Sequence, residues 1–301
     1  MTNTNKHLVK SLHEGDLRSL ARCITIVENQ LTESNEILNG LTIDRKVPVI
    51  GITGPPGAGK STLVNALIQD ILSQGTARIG VLAVDPTSPF TKGSLLGDRL
   101  RMSEQFTNPN VYIRSLATRG ALGGLSARAF EVIDVMRAAG FDYIIVETVG
   151  VGQSEIEIAE LADVTVVVFV PESGDEVQAI KSGIVEIADI FVVNKCDRDG
   201  ADMLVKTLSV MVHERSLGNN KVSVLKTTAT TGEGIPNLLK EIKQVLSNTG
   251  VSHPELLYQR TLRMAGSYLL KSHDLEDLKS SLEAASKEPD FNIHRFLTGY
   301  F

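Results

Sequence analysis

Only two cysteines, Cys23 and Cys196, occur in the 301 residues. That excludes a disulfide framework and any Cys-x-x-Cys metal site, and a reducing cytoplasm is the compartment that fits. The six histidines, His7, His13, His213, His253, His273 and His294, never pair at helical ligand spacing, so no zinc or nickel site is expected. Basic charge is not in excess either: 30 Lys and Arg against 36 Asp and Glu leave a formal net charge of −6. A nucleic-acid partner, which demands a concentrated basic surface, is therefore not expected. Long apolar runs are missing, since the most apolar stretch, Val164 to Val170, contains Thr165 and falls far short of the ~20 residues of a membrane helix. No membrane partner is expected. The opening Met1-Thr2-Asn3-Thr4-Asn5-Lys6-His7 lacks the charged-then-apolar order of a secretory signal, so export by that route is not expected. Aromatic residues make up only 5% of the chain, yet Phe291, Phe296, Tyr300 and Phe301 crowd its end. Such a tail can fold onto its own domain or form a subunit contact, where aromatics concentrate, and both readings stay open.

What is present is a 42% hydrophobic composition, enough for a full core, arranged with two kinds of periodicity. Between residues 47 and 249, short β-rich runs alternate with helical patterns. The runs are Val47 to Thr53, Ile79 to Val84, Val111 to Leu116, Tyr143 to Val146, Val164 to Val170, Ile190 to Val193 and Val222 to Leu225. Alternation of this kind predicts an α/β fold with a mostly parallel sheet, helices on both faces, and its site at the C-terminal ends of the strands. Residues 1–46 read as a helical N-terminal extension with a break and restart at Gly15-Asp16. Residues 250–301 read as a helical C-terminal arm, a candidate dimerisation element.

After the first β-rich run comes Gly54-Pro55-Pro56-Gly57-Ala58-Gly59-Lys60-Ser61, which fits G-x-x-x-x-G-K-[ST]. Its glycines let successive backbone N–H groups curl around a phosphate, and the following helix points its positive dipole end at the same group. Residues Gly54 through Ser61, with Thr62 beyond them, are thus candidate nucleotide contacts. Lys60 is expected at the β- and γ-phosphates and the Ser61 hydroxyl on Mg²⁺. The prolines at 55 and 56 leave no room for the second, early lysine of partitioning ATPases.

The run Ile190 to Val193 leads into Asn194-Lys195-Cys196-Asp197, an N-K-x-D sequence. A carboxylate at Asp197 offers two acceptors to the ring N–H and exocyclic amine of guanine. Adenine presents an acceptor at that ring position and would leave a buried polar group unpaired. Lys195 is expected along the base, Asn194 as a tie to the glycine loop, and Thr227, Thr228 and Ala229 as backbone N–H support for the base. The plain alternative, a cap between strand and helix, fits N-K-x-D taken alone. Asp85 and Glu147 end two further runs, where hard oxygen ligands suit Mg²⁺, and the Gly150 N–H is expected at the γ-phosphate. For each acid the alternative is again a helix cap. Gln153 is the nearest candidate to orient an attacking water.

Several further segments turn these motifs into a resemblance: Val84-Asp85-Pro86-Thr87-Ser88, Gly93 to Asp98, Arg119 to Gly124, Glu147 to Glu155 and Gly174 to Lys181. Together they resemble the methylmalonyl-CoA mutase-associated GTPases, the MeaB/ArgK family, over nearly all of residues 47 to 200. The resemblance implies a P-loop GTPase that acts as a chaperone of an adenosylcobalamin-dependent acyl-CoA mutase, a homodimer that gates cofactor loading and protects the mutase. It implies Ser61, Asp85, Asp98 and Glu147 as magnesium and switch residues. It further implies Asp175 and Lys181 on an additional switch loop, Lys181 acting on the charge of the transferring phosphoryl group. Two rivals remain: a nickel metallochaperone GTPase, which would need a Cys/His cluster, and a kinase of a periplasmic binding protein.

Overall fold

In the computed structural model the described residues are 2–85, 105, 107–117, 128–148, 154–171, 186–215 and 222–249, with 280, 281 and 284. The chain forms two compact units, Met1–Ser252 and His253–Phe301. The expected C-terminal helices lie almost wholly outside the described residues.

The first unit is built on a seven-stranded sheet. Its strands are β1 (Val49–Thr53), β2 (Ile79–Asp85), β3 (Val111–Ala117), β4 (Tyr143–Thr148), β5 (Val164–Phe169), β6 (Ile190–Val193) and β7 (Ser223–Lys226). The spatial order is β3-β2-β4-β1-β5-β6-β7 and every pairing is parallel. Each expected run is a strand, displaced at its ends by no more than two residues. Parallel strands covered on both faces should read as continuous apolar runs, and β5 and β6 are buried along their whole length.

The helices are α1 (Asn3–His13), α2 (Leu17–Glu28), α3 (Ser34–Asn39), α4 (Lys60–Ser73), α5 (Ala129–Arg137), α6 (Ser154–Leu161), α7 (Ala201–Arg215) and α8 (Ile235–Thr249). The break at Gly15 is real: α1 stops at His13, and Asp16 caps α2 by accepting the Ser19 N–H at 2.8 Å. Hydrogen bonds from the Ser19 hydroxyl and from its N–H hold the Asp16 carboxyl below its usual range. One face of the sheet packs Ile50, Ile52, Ile145 and Val166 against α4 and α8 through Val64, Leu67, Leu238 and Ile242. On the other, Ile144 and Val146 share a core with Met136 of α5 and with Leu20, Ile24 and Val27 of α2. The N-terminal helices are thus part of the first unit's core.

One device recurs where strands begin. Asp142, Asp163 and Asp189 each immediately precede a strand, β4, β5 and β6. Each carboxylate accepts the N–H of a residue in or beside the neighbouring strand while its own N–H donates to that same residue's carbonyl. Asp163 does this with Val49 at 2.7 and 2.8 Å, Asp189 with Thr165 at 2.7 and 3.0 Å, and Asp142 with Arg78 at 2.7 and 2.8 Å. The polar groups at the sheet's N-terminal end are thereby satisfied without further ladder. Asp163 also takes Nη2 of Arg137 at 2.7 Å, and Arg137 Nε donates to the Val47 carbonyl at 3.2 Å. Arg78 reaches Gly15 and Ala139 carbonyls at 3.0 and 3.2 Å and stacks on Phe141, pinning the α1–α2 turn to the same end.

Candidate functional site

At the opposite end of the sheet, the C-terminal ends of β1, β4, β6 and β7 converge. β1 is flanked by β4 on one side and β5 on the other, so the loop leaving it starts at the crevice where connections diverge to both sides. That loop is Gly54 to Gly59. Gly54 has φ 138° and lies so close to Val168 that a Cβ would come 2.1 Å from its carbonyl oxygen, which only glycine tolerates. Gly59 has φ 83° and ends the loop in a left-handed residue from which α4 departs. The turn leaves Pro56 and Gly57 exposed and Pro55 half-buried, and draws Lys60 and Ser61, the first residues of α4, into the protein.

Lys60 Nζ donates to the carbonyls of Gly54 and Pro55 at 2.8 and 3.0 Å, folding its charge across the mouth of the loop. Ser61 Oγ donates to Glu147 Oε1 at 2.7 Å, and both residues are buried. The structure therefore brings two of the four expected metal residues into contact. Asp85 ends β2, two strands from β1, and its side chain lies outside the described residues; so do Asp98, Gly150, Gln153, Asp175 and Lys181.

Asn194 ties the site together. Its Nδ2 donates to the Ala58 carbonyl at 2.9 Å, and its Oδ1 accepts from Thr227 Oγ1 and the Ala229 N–H, each at 3.1 Å. One buried amide thus joins the phosphate loop to the segment after β7, the tie expected from the sequence. Lys195 follows with φ 58°, a left-handed conformation that costs a non-glycine residue strain and that clusters at functional sites. Asp197 stands exposed beyond it. Cys196 occupies the spacer position: its thiol donates to the Val193 carbonyl at 3.0 Å and burial pushes its pKa up.

The segment after β7 is tied to the strand ends around it. The N–H groups of Thr227, Thr228 and Ala229 donate to Val193 O, Glu233 O and Asn194 Oδ1, at 2.8, 3.0 and 3.1 Å. In this structure these amides bond within the scaffold, where a loop closing between two strand ends satisfies its own donors. Among the described residues no three His, Cys, Asp or Glu side chains group as a metal cluster, and no helix is long and apolar enough to cross a membrane.

A glycine loop between a central parallel strand and a buried Lys-Ser helix start, on a sheet of this order, defines a P-loop nucleoside triphosphatase. The family model described as methylmalonyl Co-A mutase-associated GTPase MeaB matches residues 20–272. The chain belongs to that family, and it is a GTPase that binds GTP and GDP. A Pyrococcus horikoshii protein named as a GTPase is 47% identical over 242 residues, spanning 79% of this chain and 76% of that one. The methylmalonic aciduria type A homolog of Caenorhabditis elegans, a mitochondrial protein, is 39% identical over 207 residues, 64% of this chain and 52% of that one. Among solved structures, that of a LAO/AO transport system kinase matches with TM-score 0.68 at 26% identity, covering 94% of this chain and 88% of that chain.

Proposed function

We propose that this GTPase is a chaperone of an adenosylcobalamin-dependent acyl-CoA mutase, using its nucleotide cycle to gate cofactor loading and protect the mutase. The observation that carries the reading is the match to the mutase-associated family over residues 20–272, which spans both the phosphate loop and the guanine loop. Similarity to the methylmalonic aciduria homolog supports it further. In this reading Gly54 to Thr62 hold the phosphates, Lys60 neutralises the β- and γ-oxygens, and Asp197 pairs with guanine while Asn194 keeps the two loops in register. Gly150 and Gln153 complete the catalytic set, and Asp175 and Lys181 join it from a further switch loop when the mutase is bound, with homodimerisation through the C-terminal arm.

Ser61 Oγ and Glu147 Oε1, 2.7 Å apart beside the loop, are hard oxygen donors of the kind Mg²⁺ prefers. With Asp85 and Asp98 they would hold it, and the bound ion supplies charge neutralisation between the phosphates. Hydrolysis then rests on positioning and electrostatics, so the protein alone turns over slowly. Two free thiols are consistent with a cytoplasmic setting.

The test is the GTP hydrolysis rate with and without the mutase, together with co-purification. Acceleration and a stable complex are expected; no acceleration and no complex would sink the chaperone reading. The likeness to a transport system kinase supports a second reading, phosphorylation of a periplasmic binding protein. Incubation with γ-labelled GTP separates the two, since a kinase leaves label on protein and a GTPase releases it as phosphate.

A further inference from the structure

Glu147 and Thr148, the last two residues of β4, each reach a different end of the phosphate loop. Glu147 bonds Ser61, just after the loop. Thr148 Oγ1 donates to Thr53 Oγ1 at 2.8 Å, and Thr53 is the residue just before it. Consecutive residues of a strand point to opposite faces, so the loop is bracketed from both sides of the sheet by one dipeptide. The pairing register explains why these residues meet. Ile52 lies opposite Glu147, and one step further Thr53 lies beside Thr148. Thr53 is 0% and Thr148 1% exposed, so this hydroxyl pair is cut off from water. Its face is the one Gly51 shares, where a Cβ would come within 2.8 Å of Ala162 and 2.9 Å of Ile158, the side covered by α6. The chain from Thr148 to α6 is the stretch that carries Gly150 and Gln153.

We propose that Thr148 and Thr53 are positioning residues for GTP hydrolysis: their buried hydroxyl contact fixes the end of β4, which carries Glu147, in register with the start of the phosphate loop. The inference rests on residues 54–61 being the phosphate site, and it does not depend on the mutase. A buried hydroxyl pair has no water to replace a lost partner, so separating the two residues leaves polar groups unsatisfied. It therefore transmits the position of one strand end to the other. Loss of the contact would leave the loop able to hold nucleotide, because Lys60, Ser61 and the loop's own N–H groups are untouched. It would let the end of β4 drift, and with it the Glu147 contact to Ser61, and a small misplacement beside the reacting phosphate costs rate and not affinity.

The experiment compares full-length wild type with Thr148→Val, Thr53→Val, the double variant and Thr148→Ser, measuring kcat, KM for GTP, affinity for a fluorescent GDP analogue, and Tm. The expected result is kcat lowered about tenfold in either valine variant, with KM and GDP affinity within about twofold of wild type. Serine at 148 restores most of the rate, and the double variant is no slower than the worse single one. An unchanged kcat in Thr148→Val overturns the proposal. So does a loss in which KM and GDP affinity fall with the rate and serine does not restore it, the signature of a packing defect. Should Thr148→Val fail to fold, Thr53→Val and the serine variant carry the same expectations. Lys60→Ala, run alongside, separates a failure of the phosphate-site reading, since full activity in that variant would defeat the reading itself.

Discussion

The two ends of the sheet are built on opposite principles. At the N-terminal end, three aspartates each engage both polar groups of a neighbouring residue, and the Arg137–Asp163 pair, with side chains 8% and 11% exposed, locks β1 to β5. At the C-terminal end the backbone is left-handed at Gly57, Gly59 and Lys195, a lysine is folded back on loop carbonyls, and hydroxyls bridge strand ends. One end stores stability in charge-assisted bonds that have nowhere to go. The other accepts strain to hold polar groups where a phosphate could take them over. The difference teaches that stability and turnover should respond to separate sets of residues.

The largest effect is expected at the locked end. Asp163→Ala strands the Arg137 guanidinium in the interior and should cost about 4 kcal/mol of stability, seen as a drop in denaturation midpoint, while KM for GTP in the surviving folded protein stays put. Lys60→Ala is the mirror image: hydrolysis should fall at least about a hundredfold with the midpoint barely moved, measured by phosphate release. If either variant moves both quantities equally, the contrast between the ends is wrong. Asp197→Asn should shift preference from GTP toward xanthosine triphosphate by about tenfold or more, because the amide donates where xanthine has a carbonyl; competition binding reads this out. Asn194→Ala blurs the contrast deliberately. It orphans the Ala58 carbonyl and the Ala229 N–H, and should weaken GDP binding several-fold while lowering Tm by a few degrees.

The smallest effect concerns the thiols. Burial pushes the Cys23 thiol up to about 11, so near pH 8 a thiol reagent should label Cys196 slowly and Cys23 only when the protein opens, as peptide mapping would record. The folded state favours the neutral Cys23 thiol. Its contribution to stability is therefore full below the unfolded-state value near 9 and declines as pH climbs toward 11.

Much of this contrast was legible in the sequence, and its gaps have physical causes. Doubly buried parallel strands announce themselves as apolar runs, so all seven were found, and Gly15-Asp16 announced a helix break through cap chemistry. The glycine loop and N-K-x-D were readable because phosphate and guanine demand fixed spacing. Strand order was not: nothing local says that β4 inserts between β2 and β1. For the same reason the Ser61–Glu147 contact, the Thr53–Thr148 pair and the reciprocal aspartates could not be paired, since each joins residues about 25 to 115 apart whose meeting is set by register. The bonds that the Thr227 to Ala229 amides make within the scaffold were not legible either, because a loop's internal hydrogen bonds leave no mark on composition.

The reciprocal aspartates have a mechanical consequence. A strand gripped through both polar groups at its root cannot slide along its neighbour without breaking two bonds at once, so the sheet behaves as a row of cantilevers clamped at one end. Displacement in a cantilever vanishes at the clamp and grows toward the free tip. When a phosphate leaves, the recoil would be confined to the strand tips and the segments they carry, and the bottom of the molecule would not register that it had gone.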